Sequence, residues 1–364
     1  MYNITLEINQ RCNLRCKYCY LGDKNEKKMT YDTGCKALDI AFSEIKKHKD
    51  HKLSISFIGG EPLLDFQLIK DLVEYCDKKN ESLKYEIGYS ITTNATITSE
   101  EIADFLCDKN FMIKISIDGE KTVNDINRVN ISGGSVYDKI LENLPFFKDV
   151  QNRSNYLVQV TNVITGNNYS HYFDSLKYLT HNLGLKAIDT AVDVSYDWTE
   201  EQIKVIEEEV QKSFVYFAES IFKGEGFEWS LFQVLADMEK KPVKFFSCGA
   251  GVINSYVRTD GSILPCSGYL DKSVEIGNVN DGLNKEKVDF YKKIESIENE
   301  KCKKCELYDI CPEKTCVLQN LAICNDMNTP IPVMCARRKF LYKLYKENID
   351  IIKQINQKMT NSKD

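Results

Sequence analysis

The sequence predicts an α/β protein, a partial (β/α)6 TIM-like barrel followed by a cysteine-rich C-terminal domain. The first observation is that short alternating apolar segments and amphipathic helical segments succeed each other six times. Such a succession requires parallel strands joined by right-handed crossovers. The second is a concentration of cysteines in the last third of the chain. The third is size, since 364 residues with 43% hydrophobic residues suffice for a large barrel and a further domain.

Alternation of apolar and polar residues predicts six strands, at residues 4–8, 53–57, 85–91, 113–117, 156–163 and 187–194. Helical periodicity predicts the helices between them, at residues 30–48, 66–79, 136–146, 171–183 and 199–222, with one more beginning near residue 99. Capping boxes are expected at Thr98 with Glu101 and at Thr199 with Gln202. The predicted domains are a barrel at 1–230, a linker at 231–245, a cysteine-rich domain at 246–340 and a C-terminal helix or tail at 341–364.

Polar motifs follow the first four predicted strands. They are a cysteine loop after strand one, Gly59-Gly60-Glu61-Pro62 after strand two, Thr92-Thr93-Asn94 after strand three, and Ser116 with Asp118 at strand four. Function in such barrels lies at the C-terminal ends of the strands. We therefore expect these motifs to form one site.

The cysteine loop holds Cys12, Cys16 and Cys19, separated by three residues and then by two. A short loop with this spacing can place three thiolates on one face of a [4Fe–4S] cluster. A cluster has four irons, so one iron would remain open for a small chelating molecule. Tetrahedral zinc would need a fourth nitrogen or sulfur ligand, and no histidine lies in this stretch.

At these residues the sequence resembles the radical S-adenosylmethionine (radical SAM) superfamily, whose triplet usually has an aromatic residue before the third cysteine, as Tyr18 is here. The resemblance implies that SAM chelates the open iron and is split into methionine and a 5′-deoxyadenosyl radical. It implies that Gly59, Gly60 and Glu61 bind the SAM amino group, that Ser116 contacts SAM, and that Arg128 meets its carboxylate. The full set of candidate SAM contacts is Tyr18, Gly59, Gly60, Glu61, Thr92, Asn94, Ser116, Asp118 and Arg128.

Three of these candidate groups have an alternative interpretation from the residues alone. The Gly-Gly-Glu-Pro stretch could be an ordinary turn into a helix. Thr92 and Asn94 could close a strand, and Arg128 could be a solvated surface residue. No catalytic acid or base is assigned from the sequence.

In the last third, the intervals between Cys248, Gly261 and Cys266 and among the later cysteines resemble a SPASM domain, which binds two auxiliary [4Fe–4S] clusters. The resemblance implies that Cys248, Cys266 and Cys316 hold an inner cluster. It implies that an outer cluster is held by Cys302, Cys305, Cys311 and Cys335.

Two departures from that pattern concern the inner cluster. Four residues rather than three separate Cys311 from Cys316, so Cys324 is an alternative ligand. Asn254 stands where sulfatase-maturing members carry another cysteine, so an iron of the inner cluster could be open unless Cys324 fills it. A four-cysteine zinc ribbon at 302–316 is the alternative to the outer cluster.

Composition excludes other functional classes. The net charge is −6 and the basic residues are dispersed, which argues against nucleic acid binding. The absence of a membrane-length apolar run or signal peptide predicts a cytoplasmic protein without a membrane partner. Fourteen cysteines in such a chain favour metal over disulfides. Cys35, Cys76 and Cys107 lie on helical patterns and are expected to be small buried residues.

The leading functional hypothesis is a peptide maturase that forms a thioether or carbon–carbon crosslink in a ribosomally made precursor, with a small redox protein as electron donor. The alternative is an anaerobic sulfatase-maturing enzyme that makes formylglycine. Those enzymes carry an aspartate base directly after the second SPASM cysteine, where this chain has Ser267, and a hydroxyl cannot do the same proton transfer unaided. An iron–sulfur electron carrier without catalytic activity is a third hypothesis.

Overall fold

The computed structural model describes residues 1–22, 24–240, 248–294, 297–312 and 316–361. The chain divides into two compact units. The first unit comprises Met1–Ser116, Val129–Val158 and Cys248–Ile294. The second unit comprises Ile117–Arg128, Gln159–Ser247 and Glu295–Asp364.

The described residues contain strands β1 (Tyr2–Asn9), β2 (Lys52–Gly59), β3 (Glu86–Thr93), β4 (Met112–Ser116), β5 (Gln159–Ile164), β6 (Ala187–Val192), β7 (Glu228–Trp229), β8 (Asn254–Val257), β9 (Ser262–Leu264), β10 (Gly277–Asn278) and β11 (Gly282–Leu283). The helices of the same residues are α1 (Tyr31–Ile45), α2 (Phe66–Asn80), α3 (Glu100–Asp108), α4 (Lys121–Asn127), α5 (Tyr137–Arg153), α6 (Tyr172–Lys177), α7 (Glu200–Lys223), α8 (Ser230–Ala236), α9 (Lys285–Lys292), α10 (Glu300–Lys303), α11 (Val317–Cys324), α12 (Pro332–Glu347) and α13 (Ile349–Asn361).

In the first unit the strands run in the order β11-β10-β9-β8-β1-β2-β3-β4. The pairs β8–β1, β1–β2, β2–β3 and β3–β4 are parallel, whereas β8 to β11 pair antiparallel. Leu53, Ile55 and Phe57 alternate with more exposed residues along β2, and all three are buried. The C-termini of the four β/α strands therefore share one edge, which carries the polar motifs.

In the second unit β5, β6 and β7 are parallel neighbours. Phe217 of α7 packs against Phe227, Trp229 and Phe232, with ring centroids 4.8–5.5 Å apart. The predicted capping box of α7 is confirmed, since Thr199 and Gln202 exchange both hydrogen bonds. No helix in the described ranges combines the length and apolarity needed to traverse a bilayer.

The structure corrects several predicted elements. The predicted box of Thr98 and Glu101 is wrong, because Ser99 caps α3 by accepting from the Ile102 amide at 3.2 Å. The Thr98 hydroxyl donates instead to Asn143 Oδ1 at 3.1 Å.

Further differences concern helices. The helix predicted at 171–183 is α6 between a 3-10 turn and a π-helical turn, Tyr178–Asn182. The Thr180 hydroxyl in that turn donates to the Leu176 carbonyl at 2.8 Å. Helix α4 was not predicted, and α5 continues seven residues beyond its predicted end at 146. Helix α8 lies in the predicted linker, and residues 241–245 of that linker, like 246 and 247 at the predicted start of the next domain, lie outside the described residues.

Candidate functional site

The cysteine loop joins β1 to α1 and is closed at its base, where the Gln10 amide donates to the Lys27 carbonyl at 2.8 Å. Cys12, Cys16 and Cys19 are half-buried in this loop. The Leu14 amide donates to Cys12 Sγ at 3.4 Å, and Lys24 Nζ lies 2.7 Å from Cys19 Sγ. Burial raises the pKa of the Cys12 thiol, so a thiolate there needs positive charge of the kind a metal supplies.

Gly59 and Gly60 lie directly against the start of the cysteine loop. The Gly60 amide donates to the Asn9 carbonyl and the Glu61 amide to the Arg11 carbonyl, both at 2.9 Å. A Cβ atom at either glycine would overlap one of these carbonyl oxygens. The glycines are therefore required for the close approach of the cysteine loop, a reason that the sequence had not indicated.

Glu61 is fully buried and caps the 3-10 turn Pro62–Asp65. Its carboxylate accepts from the Leu63 amide at 3.1 Å, the Thr93 hydroxyl at 2.8 Å and the Asn94 amide at 2.7 Å. It thus connects the ends of β2 and β3. The turn interpretation of Gly-Gly-Glu is correct as far as it goes, and the predicted contact with the SAM ammonium stays a prediction.

Asn94 connects β3 to the cysteine loop. Its Nδ2 donates to Asn13 Oδ1 at 2.9 Å and lies 3.7 Å from Cys12 Sγ. Its Oδ1 accepts from the Thr96 amide at 3.0 Å. Asn94 therefore orients Asn13, the residue that follows the first predicted iron ligand, and reaches the sulfur of that ligand.

Four contributors to this region were missed in the sequence: Thr93, Arg11, Asp65 and Asn9. Thr93, not Thr92, meets Glu61, because neighbouring residues of a strand point to opposite faces. Arg11 binds both carboxylate oxygens of Asp65, at 2.8 and 3.0 Å, and Asn9 Nδ2 donates to the same carboxylate at 2.7 Å. The sequence carried a signal for Arg11, Asp65 and Asn9, since each of them lies within five positions of Cys12 or Glu61.

The remaining SAM candidates are placed as follows. Tyr18, Thr92 and Ser116 are half-buried in the first unit. In the second unit Asp118 is fully buried and accepts from the Val163 amide at 3.1 Å. Arg128 ends α4 with 4% exposure, so its interpretation as a solvated surface residue is wrong.

Four cysteines of the second unit line a single cavity, and they are the four assigned to the outer cluster. The other lining residues are Leu307, Tyr308, Pro330, Arg338 and Lys339. Throughout the described ranges, no three or more His, Cys, Asp or Glu side chains are placed to hold a metal ion as they stand. Four thiols around an open space nevertheless fit the donor set of a four-iron cluster. The four are Cys302, Cys305, Cys311 and Cys335.

Cys316 and Cys324 do not line that cavity and stand at opposite ends of α11. Eight residues of α-helix separate their backbones by about 12 Å. They are therefore separate candidates, and the ligand role of each stays a prediction. The Cys316 thiol donates to Gln319 Oε1 at 3.2 Å.

The first unit holds the other two predicted ligands of the inner cluster. Cys248 is exposed, and the Asn254 side-chain amide donates to its carbonyl, closing a short loop. The Gly268 amide donates to Cys266 Sγ at 3.3 Å. Asn254 thus has a structural role at the position where sulfatase-maturing enzymes carry a further cysteine. Ser267 is exposed in the turn that follows β9.

Of the isolated cysteines, Cys35 and Cys76 are buried as expected. Cys107 is half-buried, and its Sγ lies 3.9 Å from the Val150 carbonyl oxygen.

Sequence comparison identifies one family, an uncharacterized relative and a relative with a named activity. Residues 6–179 match the Radical SAM superfamily. An uncharacterized protein of Methanocaldococcus jannaschii is 35% identical over 188 residues, which are 52% of this chain and 61% of that protein. A cysteine-type anaerobic sulfatase-maturating enzyme of Clostridium perfringens is 24% identical over 326 residues, covering 82% of this chain and 84% of the enzyme. The chain therefore matches less than two thirds of the first relative.

Two solved structures share the fold over nearly the whole chain. Native anSMEcpe with bound AdoMet has a TM-score of 0.78 at 20% identity, covering 97% of this chain and 99% of that one. Streptococcus suis SuiB bound to the precursor peptide SuiA has a TM-score of 0.61 at 17% identity, covering 92% and 75%. The predicted α/β fold class is confirmed.

Proposed function

Because the chain carries a radical SAM domain and is an enzyme of that type, we propose that it uses SAM to modify a peptide oxidatively. Cys12, Cys16 and Cys19 would hold the SAM-binding cluster. When bound, that cluster supplies the electron that splits SAM. The protein's own part is to fix the cysteine loop through Gly60, Glu61 and Asn94. It would also bind SAM and the peptide so that the reacting atoms lie next to each other.

The observation that carries the peptide-modifying function is the cavity of four cysteines in the second unit. Oxidation of a substrate leaves an electron that must be taken up. A second iron–sulfur site would accept it, and we propose that Cys302, Cys305, Cys311 and Cys335 hold that site. We further propose an inner cluster on Cys248 and Cys266, completed by Cys316 or Cys324, and a small redox protein as electron donor.

A peptide substrate is supported by both structural neighbours. AnSMEcpe has been solved with the Cp18Cys peptide and SuiB with the precursor peptide SuiA. We propose a thioether or carbon–carbon crosslink as the product. An open iron of the inner cluster could bind a substrate thiolate, as metals lower the pKa of a coordinating thiol.

Formylglycine formation is the second candidate, favoured by the match to a sulfatase-maturating enzyme over 84% of its length. Against this candidate stands the residue at the position where those enzymes carry an aspartate base. Ser267 follows Cys266, and the next carboxylate, Asp271, is exposed and caps a 3-10 turn. Hydrogen bonds from Ser273 hold the pKa of Asp271 below its usual value, which makes it a weak base.

Two assays test the proposal with the reconstituted enzyme, dithionite and SAM. Formation of 5′-deoxyadenosine tests SAM cleavage. Mass spectrometry then follows two peptides: a cysteine-containing candidate precursor peptide, and a cysteine-type sulfatase-motif peptide. Loss of two hydrogens and of one alkylatable thiol from the first peptide supports crosslinking. Efficient formylglycine formation in the second would make this chain a sulfatase maturase, and a Ser267→Ala variant would show whether the hydroxyl takes part.

A further inference from the structure

The cavity that the four cysteines line also has two basic side chains in its wall, Arg338 and Lys339. Arg338 lies three residues after Cys335 on α12, so the two side chains share a face of the helix. Its side chain is buried, at 3% exposure, whereas Lys339 is exposed. A buried guanidinium is unusual unless it is firmly hydrogen-bonded.

Arg338 is held by two backbone carbonyls. Its Nη2 donates to the Met238 carbonyl at 3.0 Å and to the Ile310 carbonyl at 2.5 Å. Ile310 directly precedes Cys311, so this contact fixes the backbone of the third cysteine against the helix that carries the fourth. A guanidinium stays protonated throughout the accessible pH range, so the cavity wall has a permanent positive charge.

We propose that Arg338 raises the reduction potential of the iron–sulfur cluster held by these four cysteines. This inference rests on the proposed outer cluster. A four-iron cluster with four thiolate ligands is negatively charged, and reduction adds one further negative charge. Net charge and hydrogen bonding around a cluster set its potential. A fixed buried cation stabilises the reduced form more than the oxidised form, so Arg338 favours uptake of the substrate-derived electron there.

Lys339 should act in the same direction but more weakly. Its ammonium is exposed to solvent, where water and salt screen the interaction. Lys343, one turn further along α12, is exposed and does not line the cavity. It provides a matched control for loss of one positive charge from the same helix.

The test is an anaerobic redox titration of the full-length reconstituted protein, followed by electron paramagnetic resonance. A Cys302→Ala variant identifies the signal of the outer cluster, because that signal should be lost in it. Arg338→Met should lower the ratio of reduced to oxidised outer cluster at least tenfold at the wild-type midpoint. For a one-electron couple this is a shift of about 59 mV. Arg338→Lys should recover most of the potential, Lys339→Gln should give a smaller shift, and Lys343→Gln should give none.

Each outcome decides the matter. An unchanged potential in Arg338→Met with full iron content overturns the inference, and so does an equal shift in Lys343→Gln. If Arg338→Met does not retain its iron, Lys339→Gln decides, and a potential equal to that of Lys343→Gln overturns the inference. If Cys302→Ala loses no signal, the outer cluster does not exist, which overturns both this inference and the three-cluster proposal while SAM cleavage at the first site still stands.

Discussion

Replacing Glu61 by glutamine should destabilise the fold as well as weaken SAM binding. The side chains have the same shape, but one carboxylate oxygen becomes a donor. Oε1 accepts from Leu63 and Thr93, and Oε2 accepts from the Asn94 amide. The side-chain amide of glutamine can be placed in two ways. In one its NH2 group faces the Leu63 backbone N–H, and in the other it faces the Asn94 backbone N–H. Either placement leaves one backbone N–H without its acceptor.

The magnitude follows from one lost hydrogen bond to a charged acceptor and one buried N–H left without its partner. Such a loss costs about 1.5–3 kcal/mol. We expect the free energy of unfolding of the metal-free chain, measured by urea denaturation, to fall by this amount in Glu61→Gln. Glu81→Gln, which removes an exposed carboxylate at the end of α2, should leave it unchanged.

A second variant separates the structural hydrogen bonds of Glu61 from a direct contact between Glu61 and SAM. Thr93→Val removes one donor to Glu61 and also the acceptor of the Ala95 amide, which donates to the Thr93 hydroxyl at 3.2 Å. It keeps the charge of Glu61 and should cost about 2 kcal/mol. If Glu61 meets the SAM ammonium, equilibrium binding of SAM should weaken much more in Glu61→Gln than in Thr93→Val. Equal SAM affinities in the two variants would refute the direct contact. An unchanged free energy of unfolding in Glu61→Gln would show that these hydrogen bonds do not stabilise the fold.

Three other predictions follow from the cysteine sites. Iron analysis of the reconstituted protein should approach about twelve irons per chain, as three four-iron clusters require; about four irons with one zinc would mean a zinc ribbon. Alanine at all three cysteines of the loop should remove about four irons and abolish 5′-deoxyadenosine, and undiminished SAM cleavage would contradict the assignment of Cys12, Cys16 and Cys19. Gly60→Ala should impair cluster loading, because its methyl group would overlap the Arg11 carbonyl. Gly88→Ala is the control, since a Cβ atom there meets no neighbour within 4 Å. Normal iron content and SAM cleavage in Gly60→Ala would disprove the close approach.

The strands were predictable because burial imposes a two-residue period that the sequence displays directly. Helix ends were less predictable where distant residues decide them. The box at Thr199 forms because both partners are local. The one expected at Thr98 fails because Asn143, 45 residues away, takes the Thr98 hydroxyl. The π turn at Tyr178–Asn182 depends on tertiary contacts of the same kind, including the Thr180 hydroxyl within 2.9 Å of Tyr216 Oη.

For the site, the sequence indicated which motifs follow which strands, but not what they touch. The glycines at 59 and 60 suggest close approach of some group, and only the fold shows that this group is the backbone of the cysteine loop. Arg338 illustrates the same limit. Its place three residues after Cys335 is visible in the sequence, but its burial and its contact with the Ile310 carbonyl depend on the packing of α12.

The cysteine motif alone therefore does not make the site. Cys12 is flanked by residues held from the ends of two strands, Arg11 through Asp65 and Glu61, and Asn13 through Asn94. Cys19, by contrast, receives a contact from Lys24 of its own loop. A site built for a reaction needs its first ligands fixed by supporting contacts. The first thiol is fixed in this way by β2 and β3, so we expect residues outside the three-cysteine pattern to be needed for loading of the proposed cluster as well.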